Sequence, residues 1–317
     1  MYDVIILGGG PAGVAAGVYS ARKKLKTLLI TKEFGGQSIV SDDIENWIGE
    51  KHISGFDLAQ KLENHVRAYE DDSIDIKMES VEKVDKIESE ERDHDFEIKT
   101  DKGTYKGKTV ILTLGARRRR LGVPGEDKFE GKGVVYCATC DAPLFADKDV
   151  AVIGGGNAGV EAAIDLLAYA NKIYLLQRSD KLKADPVSVV RVKSEDKINI
   201  IYNADTKEVL GDAMVESLIY EDGNGESKKL DVGGVFVEIG SVPNSNPVED
   251  LVDIDNYGQV KIDSKHASTS LTGVFAAGDI TDDPYKQNNI SAGDAVKAAL
   301  AAYAYLQKID KKSPAKE

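Results

Sequence analysis

Two unbroken apolar runs, Val4-Ile5-Ile6-Leu7 and Val150-Ala151-Val152-Ile153, each end in three glycines and lead into a stretch of small and apolar residues. The pattern predicts a strand, a tight turn and a helix at both places. The likeness holds position by position, Asp3 to Val14 against Asp149 to Val160. A second strand follows in each copy, Thr27 to Ile30 and Ile173 to Leu176. An internal repeat of this kind organises the chain into two like parts.

Between the copies the pattern changes. Ile74-Asp75-Ile76, Val81 to Ile87, Phe96 to Lys99 and Thr104-Tyr105 are short alternating segments. They predict a small antiparallel meander set before a strand at Thr109 to Leu114. The charged run Glu88 to Asp95 reads as a solvated turn. The second copy ends similarly, with Val209, Val215 to Tyr220 and Val232 to Ile239. After Pro243 the chain reads as a return to the first part. Val260-Lys261-Ile262 is a short strand, and Gly273 to Ala277 is a buried strand running into Gly278-Asp279. Ile290 to Gln307 is a long alanine-rich helix with apolar spacings of three and four. The polar tail Asp310 to Glu317 is expected to fray.

Each turn carries the spacing G-x-G-x-x-G, as Gly8, Gly10 and Gly13 and again as Gly154, Gly156 and Gly159. The first glycine permits the tight turn, the second lets a pyrophosphate approach the backbone, and the third lets helix and strand pack closely. An anion then sits on the free amides and positive dipole of the helix N-terminus. One such motif is weak, but two copies, each after a strand and before a helix, carry weight. The expected fold class is therefore α/β, with two Rossmann-like, three-layer ββα dinucleotide-binding domains, the second inserted in the first. The first would comprise residues 1–116 and 246–317, and the second residues 117–245.

The chain has 317 residues, 42% of them hydrophobic, and a net charge of −13. That suits two packed domains and argues against a nucleic-acid partner. No apolar run reaches the roughly 18 residues that span a bilayer, so no membrane partner is expected. Met1 to Leu7 has no basic n-region or cleavage site, and a cytoplasmic protein is expected. The two cysteines, Cys137 and Cys140, cannot build a disulfide framework or a four-thiolate zinc site in one chain, and no metal is expected. Cys137-Ala138-Thr139-Cys140-Asp141 reads instead as a redox pair. Two residues between thiols suit a reversible disulfide, and the carboxylate of Asp141 is placed to shuttle a proton as a thiolate forms or leaves.

The order of motifs resembles the low-molecular-weight thioredoxin reductases. It resembles more closely the flavoprotein component of bacterial alkyl hydroperoxide reductase without that protein's N-terminal thioredoxin-like domains. The matching segments are Gly8 to Gly13, Gly35-Gly36-Gln37, Ile44 to Trp47, Cys137 to Asp141, Gly154 to Ala163, Val274 to Asp279 and Pro284 to Gln287. The resemblance implies FAD along the first domain, its pyrophosphate on the turn that includes Pro11 and Ala12. Glu33, Gly36, Gln37 and Asn46 would line the adenosine and flavin side. Gly278-Asp279 would hold the ribityl chain, Gln287 would lie near the flavin ring, and Lys286 would also bind the cofactor. The helix starting near Ile290 would point its N-terminus at the ring, where a positive dipole favours anionic reduced flavin. NADPH or NADH would lie on the second domain, on Gly154, Gly156, Asn157, Ala158, Gly159, Gln177 and Arg178. Hydride would pass to FAD and electrons on to the Cys137–Cys140 disulfide. Cys140 would face the flavin, and Cys137 would attack the disulfide of thioredoxin or a thioredoxin-like protein. The resemblance also implies a homodimer and hinges at Arg117 to Gly122 and Ser241 to Asn246.

The chain departs from that pattern in places. Thioredoxin reductases that use NADPH carry His-Arg-Arg and a further Arg where this chain has Gln177-Arg178-Ser179 and Lys183. Gln177 is no acid for a ribose diol either, so NADH, NADPH and a ferredoxin-like donor all stay open. Gly159 stands where NADPH enzymes more often have Ala. Thr113-Leu114-Gly115 replaces an Ala-Thr-Gly turn, and Lys286 replaces an Arg, keeping the charge but losing the bidentate fork. Arg117 to Arg120 reads either as a solvated hinge or as a dock for an acidic partner or cofactor phosphate. A thioredoxin-disulfide reductase leads. The alternatives are the electron donor of a peroxide-reducing system, an NAD(P)H oxidase and a flavin redox sensor.

Overall fold

A computed structural model of the protein describes residues 1–41, 43–70, 72–89 and 92–312. The chain divides into two compact units. One comprises Met1–Ser41, Trp47–Arg117 and Val242–Glu317, the other Asp42–Asn46 and Arg118–Ser241.

The first unit opens with β1 (Tyr2–Gly9), α1 (Pro11–Arg22), β2 (Thr27–Phe34), α2 (Gly55–Arg67), β3 (Ile74–Met78), β4 (Val81–Ile87), β5 (Asp95–Thr100) and β6 (Thr104–Leu112). These strands lie in the order β3-β2-β1-β6-β5-β4. Because successive side chains point to opposite faces, the run in β1 serves two cores at once. Val4 and Ile6 pack with α1 and α2 residues such as Val14 and Val66. Ile5 and Leu7 pack with Val84, Phe96 and Ile98 of the meander.

The second unit holds β7 (Ala116–Arg118, of which Arg118 belongs here), β8 (Val134–Val135), α3 (Ala138–Asp141), β9 (Asp149–Ile153), α4 (Asn157–Asp165), β10 (Lys172–Gln177), α5 (Pro186–Ser194) and β11 (Ile198–Tyr202). It continues with β12 (Asp205–Gly211), β13 (Val215–Glu221), β14 (Ser227–Asp231), β15 (Gly234–Val237) and β16 (Ser241–Pro243, of which Ser241 belongs here). A parallel sheet runs β11-β10-β9-β15-β8, and β12-β13-β14 form a separate antiparallel sheet. The period of two again divides the core. Val150 and Val152 meet Val160 and Ala163 of α4, while Ala151 and Ile153 meet Val209, Val215 and Leu218 of the antiparallel sheet. Each unit is thus a helix layer, a parallel sheet and an antiparallel layer, and the second interrupts the first.

The chain returns to the first unit through β17 (Val274–Ala276), parallel to β6, and α6 (Asn288–Lys312). Ala295, Ala298, Ala299 and Ala302 are buried at spacings of three and four, which lets α6 lie close against the α1 core. Outside either sheet core, β7 and β16 pair as a two-stranded sheet. Asn244 N–H donates to Gly115 O at 3.0 Å in the first unit, and Arg119 N–H to Gly240 O at 3.0 Å in the second.

Several details differ from the sequence pattern. The segment at Ile74 is no meander strand: β3 runs parallel to β2, with Thr27 opposite Ile74, so the meander is β4-β5-β6. Thr104-Tyr105 and Thr109 to Leu114 are joined in the single strand β6, antiparallel to β5 at one end and parallel to β1 along the other. Gly107 permits the join, since a Cβ there would fall 2.7 Å from Ile5 Cγ1. Val260-Lys261-Ile262 makes only single bridges, because the Ile262 amide donates to the Asp282 carboxylate instead of extending a ladder. Val232 to Ile239 is strand only over β15, and β14, with one apolar residue in five, carries no hydrophobic signal. The charged run is not wholly solvated: Asp95 is buried and pairs with Arg92 at 3.2 Å. Its Glu90 and Glu91 lie outside the described residues, as does the tail from Ser313, while α6 reaches Lys312.

The two helix-facing glycines can be told from the two open ones. A Cβ on Gly159 would fall 1.8 Å from Gly154 O, whereas one on Gly156 would meet nothing within 4 Å. Gly159→Ala should lose about 1–3 kcal/mol in urea denaturation, the usual penalty of overpacking, while Gly156→Ala stays within about 0.5 kcal/mol.

Candidate active site

In the first unit, several segments singled out in the sequence come together. Gly8 has φ +118°, and a Cβ there would fall 2.2 Å from Thr113 O. The Thr113 hydroxyl donates to Leu7 O at 2.8 Å, tying the Thr113-Leu114-Gly115 segment to the glycine turn. Pro11 and Ala12 open α1 and are buried. A Cβ on Gly10 would meet only Gly36 Cα, at 4.0 Å, so the protein's own packing does not require that glycine. The backbone at that turn is left open. Gln37 Nε2 donates to Asp279 Oδ2 at 3.2 Å, and a Cβ on Gly278 would lie 3.3 Å from Ala12 Cβ. Lys286 Nζ donates to Thr281 O at 2.6 Å. Burial holds its ammonium below the ordinary lysine range, against the pull of Asp279, Asp283, Asp282 and Asp255. Gln287 O accepts from Ser291 N–H at 2.8 Å at the start of α6. The Glu33 side chain is exposed at the end of β2. Asn46 belongs to the second unit.

In the second unit, the loop after β10 folds over the glycine turn. Lys183 N–H donates to Gly155 O at 2.7 Å, and Asp185 N–H to Asn157 Oδ1 at 2.8 Å. Ala158 is exposed on the first turn of α4. Gln177 is buried and uses both ends of its amide within the protein. Its Oε1 accepts from Gly155 N–H at 3.3 Å and Arg178 N–H at 3.1 Å. Its Nε2 donates to Ser179 Oγ at 2.9 Å and Lys181 O at 2.8 Å. The Arg178 side chain is exposed.

Cys137 and Cys140 are joined as a disulfide, with both residues partly buried. Cys137 caps α3, and its carbonyl accepts from Asp141 N–H at 3.0 Å. Asn46 Nδ2 lies 3.9 Å from Cys140 Sγ. The Asp141 side chain is buried within the turn. Behind the pair, Tyr136 donates to Glu126 Oε1 at 2.8 Å. Glu126 also accepts from the Leu121 and Gly122 amides. Burial first, then the Glu126 carboxylate, holds the Tyr136 phenol above its ordinary range. Arg120 donates to Tyr136 at 2.5 Å and pairs with Glu130 at 2.5 Å, so this member of the arginine run is tied to the residue just before Cys137.

Sequence reasoning missed one residue here. Glu238, just after β15, accepts through Oε1 from Ala138 N–H at 3.2 Å. Burial raises its carboxyl to about 7, with Asp141 and Asp165 adding to the rise and Arg118 and the Ala138 amide opposing it. An acid interrupting the apolar run Val235 to Ile239 was the available signal.

Two glycine turns of dinucleotide type and a partly buried disulfide define a two-domain redox protein. The chain belongs to the pyridine nucleotide-disulphide oxidoreductase family, whose sequence profile matches residues 2–303. It is 45% identical over 307 residues to a Bacillus subtilis protein named NADH dehydrogenase, and 44% identical over 307 residues to the F component of alkyl hydroperoxide reductase in Escherichia coli. Each likeness covers 96% of this chain but 58% of the relative, so the chain spans little more than half the length of these relatives. The crystal structure of thioredoxin reductase from Streptococcus pyogenes is similar, with TM-score 0.89 and 35% identity over 97% of this chain and 99% of that one. Thioredoxin reductase from Giardia duodenalis is similar too, with TM-score 0.88 and 32% identity over 96% of this chain and 99% of that one.

A carboxyl raised on folding favours the folded state while protonated and loses that advantage as it ionises. The Glu238 contribution is therefore complete below pH 4.5 and is lost as pH rises through about 7. Across that window Glu238→Gln should gain stability over the parent, on the order of 2–3 kcal/mol at pH 8 and almost nothing at pH 4. Urea denaturation at pH 4, 6 and 8 checks this, and a difference independent of pH contradicts it.

Proposed function

We propose that the protein is a flavin-dependent disulfide reductase, passing electrons from a reduced nicotinamide through FAD and the Cys137–Cys140 disulfide to thioredoxin or a thioredoxin-like protein. The observation that carries this reading is the Cys137–Cys140 disulfide, held in a chain whose units each keep an open glycine at a strand-to-helix turn. A bound flavin would supply two-electron exchange between nicotinamide and disulfide. In the first unit, Gly8, Gly10 and Gly13 would seat its pyrophosphate, with Glu33 toward the adenosine and Gly36, Gln37 and Asp279 along its length. Lys286 and Gln287 would hold the ring end, beside the N-terminus of α6. Asp141 would move a proton at the Cys140 sulfur, and Asn46 would orient that sulfur.

In the second unit, Gly154, Gly156, Asn157, Ala158 and Gly159 would seat the nicotinamide cofactor. Gln177 spends its polar atoms on its own loop and presents no carboxylate to a ribose diol. Arg178 is the exposed charge at that strand end. If it meets a ribose phosphate, Arg178→Ala should weaken NADPH by roughly 1–3 kcal/mol and NADH by less. Steady-state kinetics with both coenzymes decide, and equal small effects assign Arg178 to plain surface.

The likeness to the F component of alkyl hydroperoxide reductase favours a second reading, an electron donor to a peroxide-reducing system through a separate thioredoxin-like carrier. Both readings demand the same chemistry of the pair. The purified protein should be yellow, with about one FAD per chain. Cys137→Ser and Cys140→Ser should each lower turnover of a thioredoxin disulfide by more than about 100-fold, while nicotinamide-driven reduction of ferricyanide persists. Undiminished disulfide turnover in both variants would remove the pair from the reaction.

A further inference from the structure

Glu238 joins the two chemical turns of the second unit. Its backbone N–H donates to Ile153 O at 2.9 Å, and its carbonyl lies where a Cβ on Gly154 would come within 2.3 Å. Its main chain is therefore one wall of the coenzyme turn. Its side chain reaches the other turn and accepts from Ala138 N–H, the first amide of α3. Cys137 is the residue that caps the same helix end. The site is crowded with negative charge. Asp141 lies in the turn itself, Thr139 Oγ1 donates to Asp165 Oδ2 at 3.4 Å, and the cation that opposes them at Glu238 is Arg118.

We infer that Glu238 is a positioning residue for the redox pair, which holds the Ala138 amide while the disulfide is closed and takes up a proton when it opens. Reduction breaks the Cys137–Cys140 bond with two electrons, delivered by the flavin in turnover or by a dithiol in the test. Two protons enter from solvent, one to a sulfur and one to the Glu238 carboxylate, and the second sulfur remains a thiolate. The charge in the pocket is thus the same before and after, one carboxylate replaced by one thiolate. A neutral carboxyl is a weaker acceptor than a carboxylate, so the Ala138 amide becomes available to the Cys137 thiolate beside it. The rise of the Glu238 carboxyl toward neutrality fits a group poised for that exchange.

This inference rests on the redox role of the pair, and its test needs neither flavin nor nicotinamide. The full chain is equilibrated in buffers of reduced and oxidised dithiothreitol from pH 5.5 to 8.5. The closed fraction is then read by thiol alkylation and mass spectrometry. Parent and Glu238→Gln are compared, since Gln keeps an acceptor for Ala138 N–H and removes the titration. At pH 5.5 the two should reduce equally, within about twofold. At pH 8 the variant should be easier to reduce by roughly tenfold, equivalent to one pKa unit of coupling. Parallel curves at every pH overturn the role of Glu238 while leaving the pair's redox function standing. A disulfide that dithiothreitol cannot open overturns both. Should Glu238→Gln fail to fold, Arg118→Gln decides. Loss of the opposing cation should move the pH break of the reduction curve upward, and an unmoved break overturns the inference.

Discussion

The structure depends on one close approach, repeated. In each unit a helix begins so near the end of the preceding strand that the third glycine of the turn has no room for a side chain. A Cβ on Gly13 or Gly159 would fall 1.8 Å from the carbonyl of Gly8 or Gly154. That contact places the helix over the strand end, with Gly10 and Gly156 at the two helix starts. It also explains the unbroken apolar strands. With a helix pressed on one face and antiparallel strands on the other, neither face of the runs Val4 to Leu7 and Val150 to Ile153 reaches water.

The architecture was legible in the sequence because it rests on that local constraint, which writes glycines at set intervals beside apolar runs. Fold class and family both follow from it. What escaped was either polar or long-range. β14 alternates between exposed and half-exposed side chains, so only its pairing with β13 reveals it. Val260 has the burial of a strand residue, yet a side-chain acceptor on Asp282 ends the ladder beside it. Gln177 could be marked as the residue at the coenzyme's edge, but not that its amide is already spent on four neighbours. Glu238 and Ala138 lie 100 positions apart, and no pattern in either segment announces their hydrogen bond.

The surroundings of the cysteines set the terms on which the pair can work. A lone turn of four residues has little rigidity of its own, and this one is held by groups from several parts of the unit. Glu126, Tyr136 and Arg120 fix the chain just before it, and Asp165 and Glu238 hold its hydroxyl and its first amide. Most of these groups are acids. Thiolates forming in such company gain little from nearby cations, so the local amides matter more than they would in a basic site.

The paired strands β7 and β16 carry a different kind of consequence. The chain leaves the first unit at Arg117 and returns at Val242, and on the first unit's side Asn244 is bonded to Gly115 and Leu114 at 3.0 and 2.9 Å. The two cut ends are therefore already side by side. Excising the stretch between them would leave a gap that a short turn could close, at small cost in loop entropy. The length of the stretch between Arg117 and Val242 is thus set apart from the geometry of the first unit's two chain ends, which the Asn244 bonds fix by themselves.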